Sequence, residues 1–190
     1  MRRQARFKTR MIKLPKRGLR IVVVADTHSK PHPEALGLIK KQKPDYILHG
    51  GDVGDLAVLD PLEAIAPLIT VRGNIDSTGT GLPDVVTLKF ETAGRIRSCW
   101  ILTHIAVQGS KLRRPIREVA LHDDAQLVVC GHSHIPLKVL DRGIGIFNPG
   151  SIGPRRFHLP ITFGVITLSE GGLHLKHISC ETGEEWLPVL

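Results

Sequence analysis

The chain has 190 residues, of which 42% are hydrophobic and 23% are charged. These values are ordinary for a globular protein and exclude a disordered or collagen-like chain, and the length predicts one domain with a continuous core. The formal net charge is +8, but residues 1–20 carry nine of the 26 Lys and Arg residues and no acid, so the remainder is almost neutral.

The basic N-terminus therefore stands apart from the rest of the chain. We divide the sequence into a basic N-terminal extension, residues 1–18, and a single domain, residues 19–190. A solvated extension is the simplest interpretation of so concentrated a charge. Nucleic-acid binding through residues 1–20 is an alternative.

A second alternative concerns self-association. Phe7, Thr9 and Met11 alternate along the extension, a pattern that would allow it to add a strand to a neighbouring subunit of a homo-oligomer.

The remaining global features predict a cytoplasmic protein that does not bind membranes. No apolar segment of secretory-signal length precedes Ile21, and no run of 18 apolar residues is present. Cys99, Cys130 and Cys180 are far apart and odd in number. Such spacing fits a reducing compartment, and we expect Cys99 and Cys130 to be inert packing residues.

In the first half of the domain, apolar strands alternate with helices. The predicted elements are a strand at Leu19–Ala25, a helix at Glu34–Lys41, a strand at Tyr46–His49, a weak helix at Leu56–Ile65 that Pro61 interrupts, and a strand at Leu68–Val71. Alternation of this kind favours a parallel sheet whose ligands gather beyond the carboxyl ends of the strands.

The second half is predicted to contain mostly strands. These are Val85–Phe90, Ile96–Thr103, Leu127–Cys130, Gly145–Phe147, Phe163–Leu168 and Leu173–His177, with one helix at about Lys111–His122. The last two strands are joined by a hairpin turn at residues 170–172. The whole pattern indicates an α/β protein in which two sheets pack face to face and helices flank them.

Polar clusters follow five of the apolar strands. They are Asp26-Thr27-His28, Gly51-Asp52, Gly73-Asn74-Ile75-Asp76, Thr103-His104 and Gly131-His132-Ser133-His134. Turn formation alone would explain the Gly, Asn and Asp residues but does not require four histidines. Carboxylate, amide and imidazole donors in this mixture suit Mn²⁺, Fe²⁺, Zn²⁺ or Ni²⁺ better than Mg²⁺ or Ca²⁺. Their number is sufficient for two ions that share one carboxylate.

The order of these clusters resembles the motifs of the calcineurin-like metallophosphoesterases, which read D-x-H, G-D, G-N-x-D, H and G-H-x-H. Residues 147–151 (Phe-Asn-Pro-Gly-Ser), followed by Pro154-Arg155, are similar to a segment of the small YfcE-type phosphodiesterase branch. The resemblance extends from about Ile21 to the C-terminus. It implies the family's fold, a four-layer α/β/β/α sandwich.

The resemblance also implies a dinuclear site and its ligands. The first ion would bind Asp26, His28, Asp52 and His134, and the second would bind Asp52, Asn74, His104 and His132. Mn²⁺ is the first choice for both ions, with Ni²⁺, Fe²⁺ and Zn²⁺ as alternatives. In such a site a water or hydroxide shared by two cations attacks phosphorus. The catalytic set would then be Asp52, Asn74, Asp76 and His104.

Two positions depart from the family pattern. Ile105-Ala106 replaces the usual Gly-His after His104, which removes a contact near the substrate. Ile75 stands where larger relatives carry a His that protonates the leaving group, so Asp76 or a water would have to take that role. We therefore expect a preference for esters with good leaving groups.

The sequence thus predicts a metal-dependent phosphodiesterase or phosphatase that acts on a small phosphodiester or phosphomonoester. A non-catalytic interaction module of the same fold is the alternative. Arg72 and Arg155 could contact substrate phosphate, although a structural counter-charge is the commoner role of such arginines. We expect Asn148 to Ser151 to form scaffolding near the site.

Overall fold

A computed structural model describes residues 5–188 and contains two six-stranded sheets. In chain order the strands and helices are β1 (Phe7–Lys13), β2 (Leu19–Val24), α1 (Ala35–Lys41), β3 (Tyr46–His49), α2 (Asp60–Glu63), β4 (Leu68–Thr70), β5 (Val85–Thr92), β6 (Arg95–Thr103), β7 (Val107–Gln108), β8 (Lys111–Leu112), α3 (Arg114–His122), β9 (Leu127–Val129), β10 (Pro136–Asp141), β11 (Ile144–Pro149), β12 (Thr162–Ser169), β13 (Gly172–Ser179) and β14 (Glu185–Trp186).

Both large sheets are mixed. One has the spatial order β14-β13-β12-β2-β3-β4, and the other has the order β1-β5-β6-β9-β11-β10. Strands β2, β3 and β4 are parallel, as are β6, β9 and β11. Each sheet therefore presents a row of carboxyl ends, where side chains from successive strands can meet.

The strands are buried on both faces because apolar side chains alternate between two cores. In β2, Ile21 and Val23 pack between the sheets against residues such as Trp100, whereas Val22 and Val24 face α1 and α2. A third core lies between the other sheet and α3. This arrangement confirms the predicted four-layer α/β/β/α sandwich.

The N-terminal segment differs from the solvated extension expected from its charge. Residues 7–13 form β1, which runs parallel to β5 from Phe7 opposite Val85 to Lys13 opposite Glu91. Ile12 is 3% exposed and belongs to the core between the sheets. Hydrogen bonding to β5 and burial of Ile12 stabilise the strand, while its basic side chains stay exposed and solvated. The N-terminal segment therefore adds an edge strand to a sheet of its own chain.

Two predicted helices are shorter in the structure. Residues 56–65 divide into a 3-10 helix, Leu56–Leu59, and α2, because Pro61 falls in the first turn of α2. The helix expected from Lys111 begins at Arg114, since Arg113 has extended backbone angles and Lys111–Leu112 pairs with β7 instead. The predicted strands of both halves are present, and the residue 170–172 turn joins β12 to β13 as a hairpin.

Two further expectations concern burial and membranes. All three cysteines are buried and unpaired, and burial raises the pKa of the Cys130 thiol to about 12, as expected for an inert packing residue. Within residues 5–188, no helix has the length and apolar character needed to cross a membrane.

Candidate metal centre

Polar side chains from both sheets meet at one end of the sandwich. Three of the five clusters follow β2, β3 and β4, and the other two follow β6 and β9. They form two groups of potential ligands, in each of which the ligand atoms all lie within 4.8 Å of one another. The groups are Asp26, His28 and His134, and Asp52, His104 and His132.

The first group is the more buried of the two. Nε2 of His134 lies 3.4 Å from Oδ1 of Asp26 and 3.3 Å from Nε2 of His28. Asp26 and His134 are 0% and 2% exposed. Nδ1 of His134 is buried without a hydrogen-bond partner among the described residues. Hydrogen bonding among the described residues therefore leaves this ring incompletely satisfied.

Asn74, a ligand predicted from sequence, lies beside the second group. Nε2 of His104 lies 3.0 Å from Oδ1 of Asn74 and 3.2 Å from Oδ1 of Asp52. The other ring nitrogen of His104 lies 2.7 Å from the Gly50 carbonyl, a hydrogen bond that turns Nε2 toward the centre. The ring of His132 packs edge-on against His104, with centroids 5.1 Å apart.

Asp52 lies between the two groups. Its Oδ1 is the oxygen near His104, and its Oδ2 is 3.7 Å from Nε2 of His28. One carboxylate oxygen thus faces each group, which is one of the ways in which two ions can share a carboxylate.

The backbone of the ligand segments is unusual. Five of the seven predicted ligands have positive φ, between 46° and 72°. They are Asp26, His28, Asp52, His132 and His134. The left-handed conformation is tolerated best by short polar residues and histidine, and here it turns the chain sharply as each strand ends.

Two glycines permit the close packing of these turns. A Cβ at Gly73 would lie 2.1 Å from Oδ1 of Asp52, and one at Gly131 would lie 2.9 Å from Oδ2 of Asp26. Larger residues would therefore displace the carboxylates. These contacts give the physical reason for glycine at both positions.

The electrostatics of the centre suit cations. Burial lowers the pKa of His28, His132 and His134, to about 4 for His134, so their ring nitrogens keep a free lone pair at neutral pH. Burial raises the pKa of Asp26 to about 7. A carboxylate desolvated to this degree is ionised most readily beside a positive charge.

Asp52 and His104 form the most strongly coupled pair. Burial opposes ionisation of Asp52, but hydrogen bonds from His104 and from the Ile75 backbone N–H outweigh it, and the pKa of Asp52 falls to about 2. Burial also opposes protonation of His104, whose pKa is nevertheless raised by Asp52 and Asp26. A divalent ion would replace the His104 proton. The donor set therefore fits two cations of the kind that accept both oxygen and imidazole.

Asp76, predicted to be catalytic, is engaged by the backbone around the centre. Its carboxylate is 5% exposed and accepts hydrogen bonds from the backbone N–H groups of Val53 (3.2 Å), Gly54 (2.9 Å) and Gly73 (2.7 Å). These bonds join the segment of Asp52 to that of Asn74. A carboxylate occupied in this way is poorly placed to protonate a leaving group, so these contacts favour a positioning role over the predicted catalytic one.

Other residues near the centre support it without facing it. Asn148 donates to the Gly131 carbonyl, and Ser151 donates to the carbonyl of Asp26. His49 is fully buried, where its Nδ1 accepts from Gly51 N–H and its Nε2 lies 3.1 Å from Oγ1 of Thr27. The Asn148 to Ser151 segment is scaffolding, as expected.

The two arginines considered from sequence are structural. Nε of Arg72 donates to the Asp84 carboxylate at 2.8 Å, and Nη1 donates to the carbonyls of Gly73 and Asp76. Arg155 pairs with Glu181. Both guanidinium groups act as counter-charges that hold neighbouring segments.

Sequence reasoning missed Arg156. Its guanidinium lies 3.1 Å from Nε2 of His28, so it reaches the centre from an exposed loop. Arg155 and Arg156 are adjacent residues of the same type, so the Pro154-Arg155 segment could indicate only that one of them faces the site.

The surroundings leave the centre open on one side. Asn74 and His132 are exposed, and Ile75 is 47% exposed. Ala106, which stands in place of the usual His, is 1% exposed and packs in the core beside α3. Substrate would therefore approach over Asn74, Ile75 and His132.

Comparisons with known proteins agree with this geometry. Residues 19–171 match the family model of the calcineurin-like phosphoesterase superfamily domain. The chain is similar to the probable metallophosphoesterase YsnB of Bacillus subtilis, with 30% identity over 157 residues that cover 79% of this chain and 85% of YsnB.

Two solved structures show the same fold. Vacuolar Protein Sorting 29 from Cryptosporidium parvum aligns with a TM-score of 0.69 and 19% identity over 89% of this chain and 95% of its own. The phosphoesterase YfcE from E. coli aligns with a TM-score of 0.59 and 20% identity over 90% of this chain and 98% of its own.

Proposed function

Because the chain belongs to the calcineurin-like phosphoesterase superfamily, we propose that it hydrolyses phosphate esters at a centre of two divalent cations, with phosphodiesters as the preferred class. The position of Asp52 carries this proposal, since one of its oxygens faces each ligand group. A single ion would leave the second group without a function.

The ligand assignment follows from the two groups. Asp26, His28 and His134 would hold the first ion, and Asn74, His104 and His132 would hold the second, with Asp52 shared. Mn²⁺ is the first candidate, followed by Ni²⁺, Fe²⁺ and Zn²⁺, because these ions accept imidazole as readily as carboxylate. When bound, two such ions lower the pKa of a water and neutralise phosphoryl oxygens.

The protein's own residues orient this chemistry. The Gly50 carbonyl fixes the ring of His104, and the Ile75 backbone N–H holds Oδ1 of Asp52 at 3.1 Å. Positioning of this kind lowers the reorganisation required during reaction. The exposed side of the centre, over Asn74 and Ile75, would admit substrates of varied size.

The leaving group must depart without help from the residue at position 75. Ile75 has no proton to donate, and both oxygens of Asp76 are engaged by backbone N–H groups. General acid catalysis typically contributes about 10²- to 10⁴-fold. We therefore expect turnover to fall steeply as the pKa of the leaving alcohol rises.

The first experiment is hydrolysis of bis-p-nitrophenyl phosphate and p-nitrophenyl phosphate with added Mn²⁺ or Ni²⁺. Asp52→Asn and His28→Phe should reduce diester turnover to background, because each removes a ligand. Asp60→Asn and His174→Phe are matched controls at exposed positions outside the centre. Wild-type protein that binds metal but hydrolyses neither ester would contradict the proposal.

That last outcome would favour a non-catalytic interaction module. The structural likeness to Vacuolar Protein Sorting 29 makes this the second candidate, although at 19% identity it shows the fold alone. The complete ligand set favours the enzyme. Calorimetry with Mn²⁺ in parallel with the ester assay separates the two, since the enzyme requires both metal binding and turnover.

A further inference from the structure

Arg156 is the one arginine of the described residues whose guanidinium lies within hydrogen-bond distance of a proposed metal ligand. One of its terminal nitrogens is 3.1 Å from Nε2 of His28. No carboxylate of the described residues forms an ion pair with it, in contrast to Arg155, which pairs with Glu181. Its positive charge therefore acts on the centre and is not neutralised locally.

The loop that carries Arg156 is held in place on both sides. Gly153 packs so closely on the backbone of Asp26 and Thr27 that a Cβ there would lie 2.2 Å from the Asp26 carbonyl oxygen. Further along, the Leu159 N–H donates to the Arg156 carbonyl, and Arg155 donates to the carbonyl of Leu159. Arg156 is thus presented to the centre by a fixed backbone while its side chain stays exposed.

Such an arrangement is poorly explained by a structural role. A cation beside buried imidazoles opposes the binding of other cations there, and an arginine used only for stability would gain more from an acidic partner. The planar guanidinium does, however, match the oxygens of a phosphoryl group, to which it can donate two parallel hydrogen bonds.

We propose that Arg156 binds the phosphoryl oxygens of the substrate, and that its guanidinium competes with a metal ion for Nε2 of His28. This inference rests on the proposed function and identifies a substrate-binding residue for it. The lone pair of His28 can serve only one cation at a time. Metal binding therefore releases the guanidinium at the place where a phosphoryl group would be held.

The two parts of the proposal predict effects of opposite sign in Arg156→Gln. Removal of an uncompensated positive charge should tighten Mn²⁺ binding by about three- to tenfold. Loss of charged hydrogen bonds should raise KM for bis-p-nitrophenyl phosphate, and the inhibition constant of inorganic phosphate, by about 10- to 100-fold. Calorimetric titration with Mn²⁺ alone gives the first quantity without any reliance on turnover.

Two further variants sharpen the test. Arg17→Gln is the matched control, since its guanidinium is exposed, is engaged by Asp45 and lies before the start of β2, and it should change neither Mn²⁺ nor phosphate affinity. Arg156→Lys keeps the charge but loses the bidentate geometry, so its Mn²⁺ affinity should remain near wild type while phosphate binding recovers only in part.

The outcomes separate this proposal from the proposed function. Tighter Mn²⁺ binding together with weaker phosphate binding in Arg156→Gln supports it. Unchanged values, or a parallel loss of both affinities, overturn the role of Arg156 while the metal centre stands. Absence of Mn²⁺ binding in the wild type overturns the metal centre, and the role of Arg156 with it.

Discussion

The positioning role of Asp76 gives the sharpest test of how the centre is built. Asp76→Ala would leave the N–H groups of Val53 and Gly73 buried without acceptors, whereas Gly54 lies where water can reach it. An unsatisfied buried donor costs about 1–3 kcal/mol, so we expect the free energy of unfolding to fall by about 2–6 kcal/mol. Asp76→Asn can keep an oxygen at the Oδ2 position, which accepts from both Val53 and Gly73, so it should lose less, mainly the bond from Gly54.

The same substitutions should affect metal binding more than chemistry. Asp76 joins the segments of Asp52 and Asn74, and loss of such support typically reduces metal affinity about 10- to 100-fold. We therefore expect Asp76→Asn to need more Mn²⁺ but to recover kcat to within about tenfold of wild type at saturating metal.

Urea denaturation in the presence of a chelator measures the first effect, and ester hydrolysis across a Mn²⁺ titration measures the second. Asp60→Asn, at an exposed position, is the control. If Asp76→Asn instead kept its stability and lost about 10²- to 10⁴-fold in kcat at saturating Mn²⁺, the size expected for a missing general acid, our reasoning about Asp76 would be refuted.

Three other predictions follow from separate parts of the fold. Asp52→Asn should weaken Mn²⁺ binding by at least about 100-fold in calorimetry, because both ligand groups lose a charged oxygen, and near wild-type affinity would exclude a shared ligand. Burial lowers the pKa of His49 to about 4 in the folded protein, whereas the same ring in the unfolded chain has a pKa of about 6.5. The full stability of the fold is therefore present above pH about 6.5. As the pH falls from about 6.5 toward 4, protonation of the unfolded chain lowers the free energy of unfolding by up to about 3 kcal/mol. In metal-free urea titrations, His49→Gln should show a shallower loss of stability over that window than wild type. Deletion of residues 1–13 should lower stability by at least about 2 kcal/mol in the same assay, since it removes β1 and the buried Ile12, and an unchanged value would mean that the strand is dispensable.

Much of the fold was predictable because its periodicity is strong. The β2 segment is apolar at successive positions, and the structure uses those positions for two different cores. The recurrence of Asp, Asn and His after strands likewise predicted which side chains would meet. In both cases a single local pattern determines the outcome, so no knowledge of distant contacts was needed.

Sequence reasoning was insufficient where contacts between distant segments determine the structure. All but one of the β1 side chains are exposed, so its sequence has the appearance of a charged extension, and only pairing with β5 makes it a strand. The carboxylate of Asp76 could have faced substrate or backbone, and the approach of the Gly54 and Gly73 segments determines which. Arg155 and Arg156 are neighbours of the same residue type, and the path of the loop determines which guanidinium reaches the centre.

The left-handed backbone of the ligand residues has a consequence for the life of the protein in a cell. Each such residue costs about 1–2 kcal/mol, so Asp26, His28, Asp52, His132 and His134 together oppose folding by an amount comparable to the net stability of a typical domain. Ligands that bind only the folded state offset that amount by mass action. On the proposed function, the chain without metal would be the form most often unfolded and degraded, so the abundance of the protein would follow the supply of metal ions.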